Sequence, residues 1–80
     1  MVRTEIENKV NEFLIEEFEI EESAITEEAH LKKDLGIESL DFVDIVVIVE
    51  KEFKFKVKRE DIFNVRTLKD LYSYIEEHVN

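Results

Sequence analysis

The chain has 80 residues with 21 acidic against 11 basic side chains, and its formal charge of −10 leaves no basic footprint for nucleic acid. It has no cysteine, hence no disulfide and no thiolate zinc site, which suits a reducing compartment. No apolar run approaches the roughly 18–20 residues of a membrane span, and no signal-peptide profile is present.

Such acidity invites disorder, but a 44% hydrophobic content arranged with clear periodicity argues against it. The expectation is one small domain over residues 1–80, soluble, cytoplasmic and monomeric, burying only about 60–65% of its unfolded surface. The charge is uneven. Residues 1–30 hold ten acidic side chains against Arg3 and Lys9, whereas Lys51 to Arg59 is locally basic.

In chain order, Thr4 and Glu7 have the spacing of a capping box. Ile6, Val10, Phe13, Leu14 and Phe18 then mark one helix face, predicting a helix from about residue 4 to 18. Residues 19–38 lack sustained periodicity. Ile20, Ile25, Leu31, Leu35 and Ile37 read as single anchors of a long ordered loop, and Gly36, the only glycine, is placed where other residues resist the backbone conformation.

Leu40 to Phe53 is rich in β-branched residues and reads on propensity as a buried strand. Its length favours a helix. Asp41, Asp44, Ile48 and Lys51 trace one face, while Val43, Val46, Val47, Glu50 and Phe53 trace another. Ser39 would be the N-cap, with Asp41 complementing the dipole in the first turn.

Phe53, Phe55 and Val57 alternate with lysines but have no hairpin partner, so they predict an extended connector that drops apolar side chains into the core. A short helical turn near Arg59–Phe63 follows. Thr67 and Asp70 resemble a cap before Leu68, Leu71, Tyr72, Ile75 and Val79, the stripe of a last helix. The fold class is all-α, a small helical bundle of three main helices plus a short third one.

Autonomous catalysis finds little support. Neither His30 nor His78 sits in a metal-binding spacing, and no nucleophile elbow or phosphate-cradling glycine loop exists. A nucleophilic serine needs a base in reach, and nothing adjacent to Ser39 offers one. Ser39 lies at the loop-to-helix transition with Glu38 and Asp41 beside it. Those flanks discourage a diffusible anion, yet they suit a group attached covalently by an enzyme with a basic surface.

Asp34-Leu35-Gly36-Ile37-Glu38-Ser39-Leu40-Asp41, followed by Phe42–Phe53, resembles the modification motif and second helix of the acyl carrier protein family, usually D-L-G-x-D-S-L-D. The resemblance continues through Phe53, Phe55, Val57, Glu60, Asp61, Val65, Thr67, Asp70, Tyr74 and Ile75. It implies an acyl-carrier-type four-helix bundle that is a substrate of other enzymes and no enzyme itself.

By the same resemblance, a phosphopantetheinyl transferase attaches 4′-phosphopantetheine from coenzyme A to Ser39, and the arm's thiol carries acyl groups as thioesters. Acyl transferases, ketosynthases and related enzymes of fatty-acid or polyketide-type biosynthesis are the implied partners. Glu38, Asp41, Asp44 and Glu50 match or flank the acidic docking positions. Phe42, Val43, Val46, Leu68, Leu71 and Ile75 are the acyl-cleft candidates, each also an ordinary core choice.

Glu38 replaces the usual Asp, Lys51 replaces a usual acid, and Lys54, Lys56, Lys58 and Arg59 make the connector basic. These departures imply a specialised carrier over a housekeeping one. Two rivals stand beside this reading: a peptidyl or aminoacyl carrier, and a helical interaction domain in which Ser39 is only a cap.

Overall fold

Helix α1 spans Arg3–Phe18 and buries Ile6, Val10, Phe13 and Leu14, the stripe read from the sequence. The computed structural model describes residues 2–79. The Thr4–Glu7 capping box does not form, because the helix begins one residue earlier, with Val2 as an N-cap that makes no side-chain bond. Glu7 instead accepts Arg3 Nε at 3.2 Å, while Arg3 Nη1 reaches Glu76 Oε1 at 3.1 Å. This charged link ties the start of the chain to its last helix.

The α1 terminus turns at Glu19, whose φ of 55° is left-handed. The following N–H, of Ile20, donates to Leu14 O at 3.2 Å, closing the helix while Ile20 enters the core.

The long loop is ordered by backbone bonds as well as by its anchors. Ile20, Leu31 and Ile37 are buried and Ile25 and Leu35 pack against the core. Glu22–Ala24 forms one turn of 3₁₀ helix, which the sequence pattern did not indicate. An antiparallel bridge pairs His30 with Thr67. Leu31 N–H donates to Arg66 O at 2.9 Å and Leu68 N–H donates to Ala29 O at 3.0 Å. Gly36 takes φ +70°, and a Cβ there would meet nothing within 4 Å. The glycine is therefore needed for backbone conformation, not for space.

Helix α2 spans Ser39–Phe53. Its buried line is Ile45, Val49 and Phe53, with Phe42, Val46 and Ile48 packed partly against the core. This corrects the face assigned from the sequence, since Val43 and Val47 are 55% and 57% exposed. Nine of this helix's side chains are apolar, so periodicity alone does not say which stripe turns inward.

The helix ends at Lys54, also left-handed with φ 58°. The connector then runs without strand pairing and buries Val57, while Phe55 stacks on His78 with ring centroids 5.1 Å apart. Short α3, Arg59–Ile62, seats Ile62 in the core.

Helix α4, Leu68–Val79, opens on the predicted cap. Thr67 Oγ1 accepts Asp70 N–H at 3.2 Å, and Asp70 Oδ2 accepts the N–H groups of Thr67 and Arg66, each at 3.2 Å. Leu68, Leu71, Tyr72 and Ile75 bury against α1 and its neighbours. The result is an all-helical bundle, as expected. Among the described residues no helix is long and apolar enough to cross a membrane.

Candidate attachment site

Ser39 is the first residue of α2 and is exposed. It is not the N-cap. Glu38 takes that place with extended backbone, and its N–H donates to Asp41 Oδ2 at 3.0 Å. Asp41 N–H in turn donates to Glu38 O at 2.9 Å. The physical reason for the one-residue shift is that Asp41, three positions on, reaches back to Glu38 and not to Ser39. The serine hydroxyl is thereby released from capping and stands at the positive end of a 15-residue helix dipole. The Ser39 and Leu40 amides donate to no acceptor among the described residues.

Beside Ser39 lies a cavity of about 330 Å³, lined by His30, Lys32, Phe42, Ile62, Phe63, Val65 and Arg66 as well as Ser39 itself. One rim is cationic and the wall is apolar. Phe63 is 79% exposed at the end of α3. Of the cleft candidates, Phe42 lines this cavity; Leu68, Leu71 and Ile75 are fully buried core residues, and Val46 is half-buried. Val43 lies on the outer surface with Leu40 and Val47, at i, i+3 and i+7, one stripe of the helix.

The acids expected to dock partners separate in the same way. Glu38 and Asp44 are exposed, and Asp41 is half-buried and engaged with Glu38. Glu50 acts within the fold, where its Oε2 accepts Val57 N–H at 2.8 Å and pins the connector. Among the described residues no side chain hydrogen-bonds to the Ser39 hydroxyl. His30 does line its cavity, and Lys33 N–H donates to His30 Nδ1 at 3.2 Å, so a neutral ring carries its proton on Nε2. Lys32, Arg66 and Phe63 had no local signal in the sequence. They line the same cavity as Ser39, and the segment of Arg66 is brought there by the His30–Thr67 bridge.

An exposed serine at a helix start, beside a cavity with a cationic rim, fits a phosphate-linked apolar arm. The helix end and the cations would answer a phosphate placed there, and the apolar wall would answer a hydrocarbon attached to it. The fold and this site define a carrier domain, a protein on which other enzymes work. The family model described as "Phosphopantetheine attachment site" matches residues 8–75. An acyl carrier protein of Thermotoga maritima is 45% identical over 75 residues, covering 94% of this chain and 93% of that protein. An acyl carrier protein of Phytoplasma mali is 38% identical over 72 residues, covering 90% of this chain and 86% of that one. The chain belongs to the acyl carrier protein family of phosphopantetheine-binding domains, whose members bear covalently attached 4′-phosphopantetheine and are carriers, not enzymes.

Proposed function

We propose that Ser39 is the attachment point, and that the chain, acting as one monomeric carrier domain in the cytoplasm, presents acyl thioesters to enzymes of fatty-acid or polyketide-type biosynthesis. The observation that carries this reading is the exposed Ser39 hydroxyl at the start of α2, inside the motif Asp34 to Asp41 and relieved of capping by Glu38. The prosthetic group, once bound, supplies a terminal thiol for thioester chemistry, which a chain without cysteine lacks. Ser39 and the helix end hold its phosphate, and Phe42 and Val46 border the region that takes an acyl chain above Leu68, Leu71 and Ile75.

Partners, including the transferase that installs the arm, dock on α2 beside Ser39. Exposed Glu38 and Asp44, with Asp41, steer basic surfaces there, and Leu40, Val43 and Val47 give an apolar contact. The basic connector from Lys54 to Arg59 supports a specialised partner set. Mass spectrometry after incubation with coenzyme A and a broad-specificity transferase tests the core of this proposal. A gain of one phosphopantetheine, lost in Ser39→Ala, is expected. Modification that persists in Ser39→Ala, or none with several transferases, refutes it. Loading by housekeeping fatty-acid enzymes, compared with loading by a dedicated pathway's enzymes, tests the specialisation, which equal preference for the housekeeping set overturns.

A further inference from the structure

The cavity at Ser39 gathers positive charge in a chain where acids outnumber bases 21 to 11. The antiparallel bridge at His30 and Thr67 brings Lys32 and Arg66 to one rim. The Lys32 ammonium lies 5.9 Å from the centroid of the Phe42 ring. Phe42 follows Ser39 by three positions, a spacing that makes the two side chains neighbours on the helix surface. Among the described residues the ion pairs are those of Arg3 alone, so Lys32 and Arg66 make none, although the Arg66 charge acts on nearby Asp70 and helps to lower its pKa. Like charges collected at one rim repel each other unless an anion answers them.

We propose that Lys32 and Arg66 hold the phosphodiester of the Ser39 arm, and that the branched apolar segment next to the phosphate lies against Phe42, Phe63 and Val65. This inference rests on the reading that Ser39 carries the arm. The arm then folds down into the cavity between visits to partner enzymes. Weak contacts are sufficient, because covalent tethering gives the arm a local concentration in the roughly millimolar range or above. Opposing charge is limited, since the Asp41 carboxylate is engaged by Glu38 N–H, Glu38 is exposed to solvent, and Asp70, the carboxylate near Arg66, is engaged by the Thr67 and Arg66 amides. His30 lines the same cavity and offers a ring N–H as a further donor.

The test uses the holo-protein, prepared with coenzyme A and a transferase and verified by mass. In the wild type, cross-peaks between the arm's methyl groups and the Phe42 and Phe63 rings are expected by NMR, together with a ³¹P shift displaced from that of free phosphopantetheine. The K32Q/R66Q variant should lose the cross-peaks and return the ³¹P shift to the free value, and added salt should weaken both signals in the wild type. K32R should retain them. Both substituted side chains are exposed, and an unchanged amide spectrum verifies the fold. Mass gain with free-arm signals in the wild type overturns the cavity proposal alone. An absence of any gain at Ser39 overturns the attachment reading and this proposal with it.

Discussion

Replacing Glu50 separates two roles that the sequence leaves superimposed. As a docking acid on α2 its loss would weaken partner binding and leave stability alone. In the structure its Oε2 accepts the Val57 N–H at 2.8 Å, holding the connector where Val57 enters the core. A hydrogen bond to a charged group contributes about 1.5–3 kcal/mol, and half-burial of Glu50 places this one at the low end. Glu50→Ala should therefore cost about 1–2 kcal/mol, a drop in Tm of roughly 4–16 °C for a domain of this size. Glu50→Gln keeps an oxygen acceptor and should recover about half of that loss. Asp44→Ala, at an exposed position without an internal bond, should stay within about 0.5 kcal/mol of wild type. Thermal and urea denaturation measure all three, and the rate of Ser39 modification well below the melting range provides the second readout. If Glu50→Ala melts like Asp44→Ala while slowing modification equally, the reasoning is wrong and Glu50 is a docking residue.

Burial and then Glu7 push the Tyr72 hydroxyl from 10.0 up to about 12. Stability should be intact below pH 10, where the unfolded chain still holds this proton, and fall by about 1.4 kcal/mol per pH unit as pH rises towards 12. Tyr72→Phe loses the bond to Asn11 Oδ1 and should cost about 1 kcal/mol at neutral pH, yet show a shallower alkaline decline in urea titrations; an identical slope refutes this. Burial alone would raise Asp70, but the Thr67 and Arg66 amides and the Thr67 hydroxyl hold it below the usual carboxylate value of 3.8. Its contribution is present above that value and lost as pH falls through the folded one, and Asp70→Ala should lose about 0.5–2 kcal/mol at pH 7; a variant as stable as wild type at pH 7 counts against the cap. Salt should raise Tm by screening the acids between Glu5 and Glu28. Because no group of three acidic or histidine side chains among the described residues could hold a metal ion, divalent cations should act without a saturable site; stoichiometric binding in calorimetry would contradict that. Val43→Ala with Val47→Ala should leave stability unchanged or raise it by up to about 1 kcal/mol through helix propensity, while slowing modification by the transferase; unaltered kinetics would remove these residues from the docking surface.

Most of the bundle was legible because each helix repeats apolar residues at the helical period and the stripes of α1 and α4 are flanked by charge. Thr67 and Asp70 stand at the spacing that a cap requires. Helix α2 defeated the same method, since Ile45 and Val49 differ little in type from Val43 and Val47 and only packing against α1 decides between them. The serine was legible from its motif, but its place one residue inside the helix depended on Asp41 choosing Glu38. The cationic rim was illegible for a different reason. Lys32 and Arg66 are brought together by backbone bonds between remote segments, and neither side chain carries a local pattern that announces the bridge.

Helix α2 also breaks a rule of local consistency in a way that favours function. Valine lies below alanine and leucine in helix propensity, by up to about 0.7 kcal/mol. At Ile45 and Val49 burial offsets that penalty, because both are almost completely shielded. At Val43 and Val47 nothing within the chain offsets it, and Leu40 beside them is 81% exposed. A surface chosen for stability or solubility would carry glutamate or lysine there. The three apolar residues lie on the helix that Ser39 begins, interrupted by Asp44, so an enzyme that approaches the serine meets charge for steering and apolar area for contact on one surface. The same helix turns its Ile45 line inward and so fixes the position of Ser39 relative to the core. Its two faces thus make opposite demands on one sequence: an apolar line buried in the core and an apolar stripe left at the surface, which is why its composition reads as a buried strand although it forms a helix.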